Sequence, residues 1–269
     1  MLAVLRQPRA VLAAGLAALC LLAWIYILRG AGSGMSAWQM TVTTLFPHRL
    51  PGSSMPGMDM PTLHWDLPGI ALAIAMWWVM MIAMMTPSAA PAILLYARVR
   101  EHALRNVDAS RQIASSGIFA SGYMLVWLLF SVLAAFLQWM LVRAGLLSAE
   151  MMWSQSRWLS ATLLIAAGAY QLSPLKDVCL SGCRTPAAFF ARHARAGALK
   201  LGALHGAYCV GCCGVLMTLL FVGGVMNVVW IAVLAVLVLV EKLLPGGRVT
   251  ARLAGVALIL WGLATAFSP

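Results

Sequence analysis

The chain has 269 residues, of which 63% are apolar and only 9% charged, and it carries a formal net charge of +11. Ordinary soluble domains are about 45–50% apolar and about 25% charged, so one soluble core cannot absorb this excess. The basic residues cluster in alternate connections rather than in one stripe or tail, which points to membrane orientation and contact with anionic lipid, and away from nucleic acid.

The apolar residues fall in blocks long enough for helices to cross about 30 Å of hydrocarbon, and they lack the alternation of a spanning barrel. The first block, Ala10–Leu28, follows Arg6 and Arg9. It exceeds the roughly 7–15 residues of a signal-peptide core, and no convincing small-residue cleavage site follows it. The expectation is an uncleaved first helix, residues 1–29. Residues 30–66 form an aperiodic connection rich in Gly, Pro, Ser and Met. It contains Met55, Met58 and Met60, with His64 shortly after.

Residues 67–269 then read as a six-helix unit. Its first block, Leu67–Val99, carries Thr86-Pro87 and Pro91, which remove backbone donors and predict a kink or break. Gly117–Val142 is regular. Trp158–Leu172 has about fourteen apolar residues before Ser173-Pro174, roughly 21 Å of helix, which is too short to span. It either continues past Pro174 or gives way to a re-entrant segment near 173–183, where Lys176 and Asp177 are placed to neutralise one another. Leu199–Val222, Val225–Val240 and Val249–Phe267 complete seven blocks.

With the N-terminus inside, fourteen of the eighteen basic residues fall in inner connections; Arg29, Arg49, Arg143 and Arg157 fall outside. The predicted architecture is therefore all-α: a polytopic membrane bundle of about seven helices, N-terminus cytoplasmic and C-terminus periplasmic. No internal repeat divides the helices into similar halves, which weakens an inverted-repeat transporter reading.

The chemistry concentrates in cysteine. Cys179 and Cys183 form a C-x3-C pair after the short fourth block, and Cys209, Cys212 and Cys213 form C-x2-C-C in the fifth. On a helix His205, Cys209 and Cys212 share one face with Cys213 at its flank. Gly202 and Gly206 lie beside that flank and admit another backbone. Counting from Lys200, Cys209 lies roughly 13–15 Å into the membrane. Bending of 175–183 would bring both cysteine groups together on the cytoplasmic side, where thiols stay reduced. Isolated Cys20 reads as small apolar filler, and burial as a hydrogen-bonded side chain competes with ligation for His205.

Thiolates suit Cu(I), zinc or iron–sulfur centres, and thioethers favour Cu(I). Met55, Met58 and Met60 are therefore candidate outer ligands. Met76, Met80 and Met84 form a stripe down the second helix, with Met81 and Met85 in a second stripe beside it. The first stripe runs from the Met-rich connection toward the depth of Cys209. Acidic residues all fall in connections or at interfaces, disfavouring a proton-relay pump, and His205 alone is inside the bundle, disfavouring haem. No phosphate-binding Gly-rich loop, carboxylate pair or serine nucleophile arrangement is present in the sequence, so a non-enzymatic role is favoured while thiol redox chemistry stays open.

The runs Met80–Pro91 with Tyr96, Tyr170–Lys176 with Cys179 and Cys183, Tyr208–Cys213, Gly223–Asn227 and Glu241–Gly247 resemble a bacterial family described as predicted metal-binding integral membrane proteins. The resemblance covers roughly Leu67–Phe267. It implies a bacterial inner-membrane location and makes the cysteine groups family features; it supplies no reaction.

The expectation is a membrane protein that binds or moves a soft metal, foremost Cu(I). Cys179, Cys183, Cys209 and Cys212 would form the inner site, with Cys213 and His205 adjacent, and a metallochaperone or a membrane complex is the expected kind of partner. The competing readings are a membrane thiol–disulfide protein exchanging C-x2-C with C-x3-C, for example against quinone, and an accessory subunit of a larger complex.

Overall fold

The computed structural model describes residues 8–32, 36–41, 65–103, 109–149, 152–193 and 195–268. These form ten helical segments: α1 (Pro8–Leu28), α2 (Leu67–Ala103), α3 (Ala109–Arg143), α4 (Arg157–Gln171), α5 (Pro174–Arg184), α6 (Pro186–Arg192), α7 (Ala198–Met217), α8 (Leu220–Gly223), α9 (Val228–Leu243) and α10 (Gly247–Phe267). Among the described residues the only extended pairing is one bridge between Leu147 and Ser154. The chain is all-α, and each of the seven apolar blocks is helical.

Among the described residues, five stretches are long and apolar enough to cross a membrane: Arg9–Leu28, Leu67–Arg100, Ser110–Arg143, Ala198–Gly223 and Gly247–Phe267. Helices α4 and α9, with 15 and 16 residues, are shorter. Helices α1, α3 and α10 leave large apolar side chains uncovered, including Leu21, Leu22, Leu129, Leu133, Leu253 and Leu260. Apolar surface on this scale is what an interaction face or a lipid-facing bundle presents. It is consistent with a membrane protein.

Of the kink or break expected at the α2 prolines, the break does not occur. The helix runs continuously through Pro87 and Pro91. Pro87 has no N–H to give the carbonyl of Ala83 four residues back; the Cys20 thiol of α1 donates to that carbonyl instead, at 3.5 Å. The Thr86 and Ser88 hydroxyls donate to Ile82 O (2.6 Å) and Met85 O (3.0 Å) in the same turns. Cys20 is thus more than filler.

The fourth block's helix, α4, ends at Gln171. Ser173 caps a new helix, its Oγ accepting from Lys176 N at 3.3 Å with Pro174 in the first turn, so α5 begins rather than α4 continuing.

Two glycine seams set the closest helix approaches. A Cβ on Gly202 would collide with the Phe119 carbonyl, and one on Gly122 with the Leu199 carbonyl, so α3 and α7 meet backbone to backbone. Gly206 extends this seam against Tyr123. Gly168 and Gly255 serve α4 and α10 in the same way: a Cβ on Gly168 would lie 2.6 Å from Gly255 O. Gly202→Ala is expected to destabilise the bundle by about 1–3 kcal/mol through overpacking, read as a lower thermal unfolding midpoint in mild detergent; an unchanged midpoint would show that the seam yields.

The connections gather at two ends. At one, Val225 N donates to Met152 O (3.2 Å), Val228 N to Thr41 Oγ1 (3.2 Å) and Arg157 to Ser268 O (3.0 Å). At the other, Arg184 donates to Leu244 O (2.7 Å) and Pro245 O (2.9 Å), and Asp177 faces Arg248 and Arg252 at 3.9 and 3.7 Å. The buried core draws on α1 to α9, most heavily on α2 and α7.

Candidate metal centre

The C-x2-C-C motif lies in α7, where its regular spacing buries Cys209, Cys212 and Cys213 together with His205. The C-x3-C motif occupies α5, which folds back along α7. Gly211 and Gly182 permit this approach: a Cβ on Gly211 would lie 2.7 Å from Cys179 Sγ, and one on Gly182 2.8 Å from the Tyr208 ring. The Tyr170 hydroxyl donates to Gly211 O and ties α4 to the same turn.

The two cysteine groups therefore meet. Cys183 Sγ lies 3.8 Å from Cys212 Sγ. Cys212 and Cys213 turn their thiols toward Cys209 O at 3.2 and 3.0 Å, the back-bonding available to small polar side chains in a helix. Cys213 donates onward to Met85 Sδ of α2 at 3.7 Å. Cys179 sits at the rim beside Gly211 rather than in the sulfur group. All six cysteines are free thiols.

The buried polar residues around the sulfurs were not anticipated. Lys242 Nζ, at the end of α9, donates to Cys209 Sγ at 2.9 Å and Ser88 Oγ at 3.2 Å. The Tyr123 hydroxyl shares a hydrogen bond of 3.0 Å with Cys209 Sγ. Next to Lys242, Glu241 accepts from Lys176 Nζ and Gln171 Nε2, each at 2.6 Å, and Lys176 also donates to Gln171 Oε1. Both charges are almost wholly buried. Lys176 is thus paired with Glu241, not with its neighbour Asp177, which belongs to the surface set with Arg248 and Arg252. Glu241 is buried in the last turn of α9 rather than exposed in a connection.

His205 is buried among Phe119, Tyr123 and Phe189, with ring centroids 6.1, 5.9 and 5.4 Å away. Its Nδ1 has no hydrogen-bond partner among the described residues. Met76, Met80 and Met84 are buried in the core, while the thioether that reaches a cysteine is that of Met85, from the neighbouring stripe. Met55, Met58 and Met60 lie outside the described residues.

Among the described residues no three His, Cys, Asp or Glu side chains are grouped so as to hold a metal ion. The sulfurs approach in pairs instead, Cys183 with Cys212 and Cys213 with Met85. A four-coordinate zinc site needs four converged ligands. Paired thiolate and thioether sulfurs in a desolvated pocket match the softness of Cu(I).

Fold and site together define an all-helical protein with several membrane-length helices around a buried sulfur cluster. The chain belongs to the PpoB2 copper chaperone family, whose model matches residues 74–265. The matched region holds every α5 and α7 cysteine, Met85 and Lys242, and excludes the Met55–Met60 connection. No curated protein matches the chain, and no solved structure does.

Proposed function

We propose that this protein is a multi-pass protein of the bacterial inner membrane that takes Cu(I) as cargo and hands it on through soft sulfur ligands. The observation that carries this reading is the meeting of Cys183 with Cys212 at 3.8 Å, beside Cys209, Cys213 and Met85, inside a matched copper chaperone region. Cys183 and Cys212, as thiolates, would hold the ion between α5 and α7. Family membership names copper; burial and donor softness favour its monovalent state.

The topology proposed is seven crossings with the N-terminus cytoplasmic. In its support, the connections holding Thr41, Met152, Val225 and Ser268 gather at one end and those holding Arg184 and Pro245 at the other, as alternation requires. At the first end Arg143 lies over Trp139 and Arg157 over Trp158, 5.4 and 5.5 Å from the ring centroids, an arrangement suited to a membrane interface. The cysteine cluster then lies in the cytoplasmic half. In this reading Met55, Met58 and Met60 capture the ion, Met76, Met80 and Met84 border its path, and Cys179 receives it at the rim of the inner site. The partner is a soluble metallochaperone or a membrane complex that exchanges the ion.

The test is metal content. Full-length protein purified under reducing conditions and loaded with copper, zinc and iron in turn is expected to keep about one Cu(I) against a competing chelator and to release the other two. Retention of none would sink the proposal.

A second reading has one specific observation behind it: Cys183 and Cys212 need to close by about 1.8 Å to reach disulfide length. Oxidation of both thiols would pass two electrons and two protons to a quinone-class acceptor. Trapping that disulfide in growing cells would favour this reading; thiols that stay reduced and are shielded by copper favour the first.

A further inference from the structure

Lys242 carries a buried ammonium with no carboxylate beside it among the described residues. Its hydrogen-bond partners are a thiol, Cys209, and a hydroxyl, Ser88. The adjacent Glu241 is committed to Lys176 and Gln171, and Asp177 faces Arg248 and Arg252 at the surface. The ionisable groups facing Lys242 are Cys209, Cys212 and Cys213 of α7 and Tyr123 of α3, with Cys183 of α5 and His205 of α7 next to them. Among the described residues, the counter-charge available to Lys242 is therefore sulfur.

We propose that Lys242 sets the valence of the ion accepted, selecting a monovalent soft ion over a divalent one with the same ligands. This rests on the reading of the sulfur cluster as a copper site. Metal-bound cysteines are thiolates, their protons released on binding. Two thiolates around Cu(I) leave one negative charge, which the ammonium cancels. Two thiolates around Zn(II) are already neutral, so the ammonium would remain an uncompensated buried charge, a costly state. A divalent ion would need a third thiolate to reach balance, and no such group of three is assembled among the described residues. Lys242 thus acts through the thiolates as a specificity-determining residue, without being a ligand.

The experiment uses full-length protein in lipid nanodiscs and measures chelator-competition affinities for Ag(I), a stable surrogate of Cu(I), and for Zn(II). Wild type is compared with Lys242→Gln, Lys242→Arg and Ser88→Asp. The last keeps the lysine but gives its charge a carboxylate partner, so it tests the same point should Lys242→Gln fail to fold. Both Lys242→Gln and Ser88→Asp are expected to narrow the Ag(I)-over-Zn(II) preference by at least about tenfold, because each removes the net cation that penalises the divalent complex. Lys242→Arg is expected to keep the preference. An unchanged ratio in whichever charge-altering variant folds overturns the valence role while leaving the copper site standing. Wild-type protein that binds neither ion overturns the site reading, and the valence role falls with it.

Discussion

Cys212→Ser is expected to lower Cu(I) affinity by at least about 100-fold, more than the 10–100-fold typical of losing a group that merely supports a metal ligand. Cys212 is the α7 sulfur that faces Cys183 of α5 at 3.8 Å, and a serine hydroxyl is too hard a donor to replace it. Cys183→Ser removes the other half of the pair and should cost as much. Cys179→Ser should cost less, because that sulfur lies against Gly211 at the edge of the cluster. Cys20→Ser leaves affinity unchanged, since Cys20 serves the Ala83 carbonyl on α2, and a serine hydroxyl can donate there as well. Chelator competition on each variant reads the series. A Cys179 effect equal to that of Cys212 would mean that the ion sits at the rim rather than between α5 and α7.

The second large effect is on stability. Glu241→Gln is expected to destabilise the protein by about 3–5 kcal/mol, the usual consequence of breaking a buried ion pair from one side. Lys176 would be left buried, retaining only the Gln171 carbonyl oxygen and a neutral amide. Lys176→Met with Glu241→Leu removes both charges and should recover most of that loss, because two desolvated ions are replaced by apolar volume. The pair also joins the start of α5 to the end of α9, so Glu241→Gln should let α5 lift and carry Cys183 away from Cys212. Thermal unfolding gives the first quantity, and the yield of a Cys183–Cys212 disulfide under mild oxidation gives the second. A variant with wild-type stability and wild-type disulfide yield would show that the pair neither holds the fold nor places the cysteine.

Local patterns made the helices legible. Apolar blocks located the helices, five of them of membrane length among the described residues, and of the two continuations left open at Ser173-Pro174 the fold takes a new helix, because a proline opens a helix readily. The prolines of α2 misled for a tertiary reason: the thiol that occupies the vacated Ala83 carbonyl comes from another helix, and no spacing rule connects Cys20 to Ala83. The cysteine spacing placed Cys209, Cys212 and Cys213 on one stretch of α7, and the C-x3-C group arrived beside it.

The polar lining was hidden for a different reason. Glu241 and Lys242 are adjacent in sequence, and adjacency says nothing of which cluster each joins. In the fold they serve different clusters, Glu241 with Lys176 and Gln171, Lys242 with Cys209 and Ser88. Tyr123 left no signal, since one tyrosine within an apolar helix is ordinary. Met85 did leave one: the second methionine stripe of α2 contained it, and the stripe beside it drew attention only because it pointed at the outer connection.

The most direct test of the copper site is X-ray absorption at the copper edge on protein loaded with one Cu(I) under reducing conditions. The account predicts a shell of two or three sulfur neighbours without nitrogen or oxygen, and loss of that shell in Cys183→Ser and Cys212→Ser. A shell dominated by nitrogen or oxygen, or an all-sulfur shell unchanged in both variants, would contradict it.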